Sequence, residues 1–182
     1  YYNRAMKTAI MFNTTYYGQV RSWALGMVAD LSERLLDVHG IRAACIDYDG
    51  KAIALIGPKG LKRGSTFIRL LEDDESNFVT NDFIFVRYRA ADAVADSPER
   101  KFYFKTVIAK DHPHYERVFD RSKCENVVTK RSDWTNTDII SEELPLDLGE
   151  PYCYWGNKDS RAMVDPAWIK GPHKVVKRSR IK

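Results

Sequence analysis

Five apolar residues follow one another at Ala52-Ile53-Ala54-Leu55-Ile56, and no other feature of the chain limits its possible folds so strongly. A strand with one face in water alternates apolar and polar side chains, whereas an unbroken apolar strand is expected with both faces covered, in the centre of a sheet. The run follows Asp49-Gly50, a dipeptide that tolerates the positive φ of a tight hairpin, so Ile41 to Tyr48 and Lys51 to Ile56 are expected to pair as two strands. It then runs straight into Gly57-Pro58-Lys59-Gly60. A strand that empties into glycines is where α/β folds commonly place a phosphate.

The rest of the chain is compatible with one ordinary domain. Its 182 residues, 44% hydrophobic and 12% aromatic, suffice for a real core, and ten Gly and seven Pro are too few for a collagen-like or low-complexity chain. No apolar run approaches the ~20 residues that cross a bilayer. The N-terminus lacks the basic and apolar regions of a secretory signal, so a cytoplasmic location is expected. The opening Tyr1-Tyr2 without Met and the closing Lys-Arg-Ser-Arg-Ile-Lys suggest a piece of a longer polypeptide. A net charge of +4 is too small to mark a polyanion partner. Cys45, Cys124 and Cys153 are odd in number and widely spaced, so reduced thiols are expected.

Apolar residues at Val20, Trp23, Met27, Leu31 and Leu35 recur at helical spacing, which predicts a helix from Val20 to Leu36 with that stripe buried and Gly40 as a stop just beyond it. Phe78-Val79-Thr80 and Phe83 to Tyr88 are strand candidates, interrupted by Asn81-Asp82, which places a carboxylate at a strand edge. Lys101 to Val107 is a further strand, Tyr115 to Phe119 a short helix entered through His112-Pro113, and Ile139 to Gly149 an acidic surface loop. His112 and His114 flank Pro113 as a solvated turn. The basic tail from Lys170 to Lys182, with Val175-Val176 and Ile181 interleaved, fits an edge strand better than a track for nucleic acid.

Several segments together resemble the superfamily of HPr kinases and phosphoenolpyruvate carboxykinases, which are P-loop phosphotransferases. Val38-His39-Gly40-Ile41, Asp47-Tyr48-Asp49-Gly50-Lys51 and Ile53-Ala54-Leu55-Ile56-Gly57 resemble the hairpin that leads into the HPr kinase phosphate loop. Lys62-Arg63-Gly64 and Phe78-Val79-Thr80-Asn81-Asp82 resemble that family's stretch from the P-loop helix to its acidic pair. Phe104-Lys105-Thr106, Cys124-Glu125-Asn126-Val127-Val128 and Ser160-Arg161-Ala162 are similar to the carboxykinase branch. The similarity spans roughly residues 30 to 170 in short patches. It implies a single α/β domain over 1–182 with a mixed central β-sheet flanked by helices. Residues 1–37 would form a helical lead-in and 38–182 a P-loop core.

The resemblance also implies a chemistry: ATP with Mg²⁺ at the end of the apolar strand, and transfer of the γ-phosphate to a hydroxyl acceptor, either a protein Ser or a small metabolite. Gly57, Pro58, Lys59 and Gly60 would cradle phosphates, with His39, Glu125 and Asn126 near the nucleotide. Asp82 would serve as base or metal ligand and Asn81 as a neutral metal ligand, while Arg161 would neutralise charge on the transferring phosphate. A homo-oligomer is compatible with this reading, a membrane partner is not expected, and a nucleotide-binding or scaffolding module without catalysis is the alternative.

The family loop has the form G-x-x-G-x-G-K-[ST], and this chain departs from it after Gly60. Leu61-Lys62-Arg63-Gly64 follow at once, where the family has its Gly-Lys-Ser and most of a helix. Either the nucleotide grip is deleted or a segment is missing between Gly60 and Leu61. Deleting a helix from an α/β layer would expose a buried strand, so the second is expected. In Lys62-Arg63-Gly64-Ser65-Thr66 the Lys precedes the Gly, and a permuted Walker motif is not expected there. Asn81 stands where the family commonly has a first Asp, which removes one anion from the pair.

Overall fold

A computed structural model describes residues 1–14, 17–58, 63–119, 121–125 and 160–181. They form two compact units, Tyr1–Phe102 with Asp165–Lys182, and Tyr103–Val164, where the sequence suggests one domain. The class is mixed α/β, with a large, mostly antiparallel sheet flanked by helices. Among the described residues no helix is long and apolar enough to cross a membrane.

The first unit opens with a small hairpin, β1 (Tyr2–Asn3) and β2 (Thr8–Ala9), followed by helix α1 (Tyr17–Leu36). Strands β3 (Val38–Ile41), β4 (Ala44–Tyr48) and β5 (Lys51–Leu55) come next, then helix α2 (Arg63–Glu72). Strands β6 (Ser76–Thr80), β7 (Ile84–Tyr88) and β8 (Ala93–Asp96) follow. The second unit holds most of β9 (Phe102–Lys105), helix α3 (Glu116–Phe119), β10 (Lys123–Glu125) and β11 (Arg161–Val164). The chain then returns to the first unit with α4 (Ala167–Lys170) and β12 (Arg178–Ile181).

The expected hairpin is present: Asp49 at φ 52° and Gly50 at φ 71° turn β4 into β5, with Ile46 opposite Ile53 and Ala44 opposite Leu55. The large sheet has the order β3-β7-β8-β12-β5-β4-β6. It cannot be flat. Two residues, Arg42 and Ala43, join β3 to β4, a reach of about 10 Å, although in a flat sheet those strands would stand roughly 24 Å apart. The sheet therefore curls, open between β6 and β3, and its inner face carries small side chains such as Ala43, Cys45 and Ala95, each fully buried. Burial pushes the Cys45 thiol up to about 12, with Asp47 adding to the effect. Asp47, itself buried, accepts hydrogen bonds from Ser179 Oγ and from Asn77 Nδ2 at 2.9 Å.

Helix α2 lays Phe67, Ile68 and Leu71 on the outer face, each burial stabilising by roughly 1.5–3 kcal/mol. Its Phe67 packs edge-on to Phe78 of β6, with ring centroids 6.1 Å apart. The helix covers β4 and β6 but not all of β5. Ile53 is 40% exposed while its cross-strand partner Ile46 is buried, so β5 lies inside the sheet without cover on both faces, contrary to its apolar pattern.

Three further expectations are corrected. Helix α1 extends to Leu36 as predicted, but the face against β3 carries Ala29 and Ser32, while Trp23 and Leu35 of the predicted stripe are exposed. Gly40 does not stop the helix; Asp37, at φ 53°, follows its end, and Gly40 lies within β3. A Cβ on Gly40 would fall 2.3 Å from Ala29 Cβ, so the absent side chain is what seats α1 on the sheet. Finally, β12 is no edge strand: it pairs antiparallel with β8 and parallel with β5, because the edges are taken by β3 and β6.

Candidate functional site

Strand β4 runs antiparallel to both β5 and β6, so the carboxyl ends of β5 and β6 emerge on the same edge with β4 between them. Leu55 is opposite Ala44 and Thr80 is opposite Cys45. Gly57-Pro58 and Asn81-Asp82 therefore leave the sheet about 10 Å apart, two strand spacings. Helix α2 connects these strands and runs back across the outer face, so its N-terminus starts at this same edge. This strand, loop, helix and second parallel strand form the unit in which backbone N–H groups and a helix dipole favour an anion. Lys59, Gly60, Leu61 and Lys62 lie outside the described residues, as does the junction at which a missing segment is expected. The residues directly after them, Arg63 to Glu72, themselves supply the helix beyond the loop, with Ser65 and Thr66 exposed in its first turn.

Asp82, only 14% exposed, occupies this edge, and both its oxygens are engaged. Arg21 of α1 donates from Nη1 to Oδ2 at 3.1 Å, and Arg42 donates from Nε to Oδ1 at 3.2 Å. Arg21 also pairs closely with Glu99, whose other oxygen accepts from Thr80 Oγ1 at 3.4 Å. Burial pushes the Glu99 carboxyl above its ordinary value, and Arg21 only partly offsets this. For Arg21, burial opposes the charge, but Glu99 and Asp82 outweigh it and raise its pKa. Two carboxylates are thus gathered around a largely buried guanidinium, with a second guanidinium, that of Arg42, at the rim and 63% exposed. Arg21, Arg42 and Glu99 come from α1, from the link ahead of β4 and from the segment after β8, and no motif in the sequence points to them.

This geometry bears on Mg²⁺. A hard cation wants carboxylate oxygens, and here both oxygens of Asp82 are occupied by guanidiniums while Asn81 brings no charge. As placed, Asp82 does not fit a magnesium ligand or a general base.

His39 is held elsewhere. Its Nδ1 lies 3.5 Å from Glu33, its Nε2 lies 3.4 Å from Asp37, and its ring meets Tyr88 edge-on at 5.5 Å, so none of its described partners belongs to the loop. The reason is the strand order, in which β3 borders β7 and not β5. Within the second unit, the register of β10 against β11 sets Glu125 directly opposite Arg161. The Tyr103 hydroxyl, from β9, reaches across β11 to donate to Glu125, and Arg161 Nη1 donates to the Ser160 carbonyl at 2.8 Å. These two expected site residues are brought together there; Asn126 lies outside the described residues, as do Cys153 and the acidic loop from Ile139 to Gly149.

Four cations of the basic tail are engaged within the fold. Arg178 pairs with Asp96 and Arg180 with Asp92, while Lys170 and Lys174 donate to the carbonyls of Asp73 and Asp74. A groove of about 370 Å³, walled by Leu36, Val38, Phe85 and Pro98, contains none of the catalytic, nucleotide-binding or metal-ligating residues expected from the sequence. Comparison with models of protein families and with curated proteins finds no match to this chain.

Proposed function

We propose that this chain is an ATP-dependent phosphotransferase that holds the nucleotide's phosphates between the loop after β5 and the Asn81-Asp82 end of β6, and passes the γ-phosphate to a hydroxyl acceptor. One observation carries the reading: β5, α2 and β6 bring Gly57-Pro58, a helix N-terminus and a charged strand end to a single sheet edge. Phosphoryl transfer needs little covalent help from a protein. Its barrier falls through positioning of donor and acceptor and through fixed positive charge near the phosphates, both of which that edge can supply. The acceptor is a protein Ser or a small metabolite. The resemblance to HPr kinases and carboxykinases supports the same assignment, and Mg²⁺ would enter with the nucleotide rather than through Asp82.

A second reading, a nucleotide-binding or scaffolding module without transfer, is favoured by the occupied oxygens of Asp82, which engage the carboxylate expected to act as base. The two readings separate in one assay. An active enzyme is stabilised against heat by Mg-ATP and releases ADP when acceptor is added. Stabilisation without acceptor-dependent ADP release supports the module, and no stabilisation at millimolar nucleotide removes both.

A further inference from the structure

We propose, on the basis of the loop site above, that Arg42 is the phosphate-binding cation of this edge and that Asp82 is the positioning residue that aims it. Arg42 precedes Ala44, which pairs with Leu55. Continued by two residues, that antiparallel register would set Arg42 opposite Gly57, at the edge to which the proposed function assigns the phosphates. Arg42 is anchored by a single bond, Nε to Asp82 Oδ1, and Nη1 and Nη2 make no hydrogen bond among the described residues. Those two nitrogens form the outer half of a planar fork that matches two phosphate oxygens.

Asp82 is in turn fixed from behind by Arg21, which Glu99 holds in place, so the carboxylate cannot readily turn from Arg42. The arrangement supplies positive charge from β4's leading end where the loop departs from Gly-Lys-Ser. It also gives Asp82 a task that does not require a metal. The ligand class is a di- or triphosphate, recognised by its oxygens rather than by its base.

Calorimetric titration of the full chain with inorganic pyrophosphate, ATP and adenosine, across a range of Mg²⁺ concentrations, tests this assignment. The unaltered chain should bind pyrophosphate and ATP. Arg42→Gln should weaken both by at least about tenfold and leave any adenosine binding unchanged, with Arg42→Lys intermediate because it keeps charge without the fork. Asp82→Asn should cause a similar loss at every Mg²⁺ concentration, and the double variant should bind no more weakly than Arg42→Gln alone. Arg87→Gln, which removes a charge elsewhere, is the control.

Equal pyrophosphate binding by Arg42→Gln would overturn the proposal, as would recovery of Asp82→Asn by added Mg²⁺, since that marks a metal ligand. Failure of the unaltered chain to bind pyrophosphate would also overturn it. Arg42-dependent binding without ADP release would keep this assignment and remove the phosphotransferase; turnover indifferent to Arg42 would do the reverse.

Discussion

Asp82 and Asp96, both in the first unit, each stand between two guanidiniums, and the contrast between them separates chemistry from setting. Asp96 pairs with Arg87 and Arg178 on the outer face of the sheet, where those side chains are 50% and 55% exposed. Asp82 pairs with Arg21 and Arg42 at the strand-end edge, where Arg21 is 11% exposed and is shared with the equally buried Glu99. Exposed pairs are screened by water and contribute little. A buried charge that loses its partner cannot be rescued by solvent. The same Arg-Asp-Arg pattern is therefore surface decoration in one place and a rigid support in the other.

The largest break in that contrast is Arg21→Met, which leaves Asp82 and Glu99 facing each other in a buried corner. It should cost about 3–5 kcal/mol by urea unfolding, and a loss near that of a surface variant would show the corner to be wet. Next is Gly40→Ala, whose methyl group would meet Ala29 Cβ at 2.3 Å and Phe83 Cε1 at 2.8 Å. It should cost roughly 1–3 kcal/mol and, by lifting α1, also weaken Arg21's grip. Gly26→Ala on the same helix meets nothing within 4 Å and should instead stabilise by about 0.5–1 kcal/mol. Arg87→Ala on the outer face should cost less than about 1 kcal/mol.

The finest distinction is in pH dependence. Burial pushes Asp96 up, but Arg178 and Arg87 outweigh it and hold it below the ordinary 3.8. Its contribution is complete above that value and is lost as pH falls through the lowered native one. Glu99 behaves oppositely: the folded state binds its proton more tightly than the unfolded chain does, so its effect on stability worsens as pH rises from the ordinary 4.5 through the raised native value. Asp96→Asn should flatten the acid side of the stability profile, and Glu99→Gln should remove the decline above it. Profiles unchanged in both variants would show that neither carboxylate differs between folded and unfolded states.

Local signals were legible where they rest on backbone chemistry. Asp49-Gly50 announces its turn because few other pairs accept two positive φ angles. The extent of α1 follows from its helical period, but its contacting face does not, because Gly40 admits the small Ala29 more closely than any larger side chain. Helix α2 was hidden by the departure from the loop pattern, although Phe67, Ile68 and Leu71 carry a helical spacing. Gly57 and Asp82 were findable as strand ends. Arg42, 40 residues from Asp82, and Arg21, 61 residues from it, were not, since a lone arginine carries no sign of what it will meet.

Residue order alone determined the hairpin and the long helix, because turn chemistry and periodicity act over a few neighbours. Only the curled sheet decided which charges share an edge. Its two-residue link from β3 to β4 brings Arg42 beside Asp82, and the seating of α1 places Arg21 behind it. Burial at that edge, set by every strand around it, is what separates this cluster from the exposed one at Asp96.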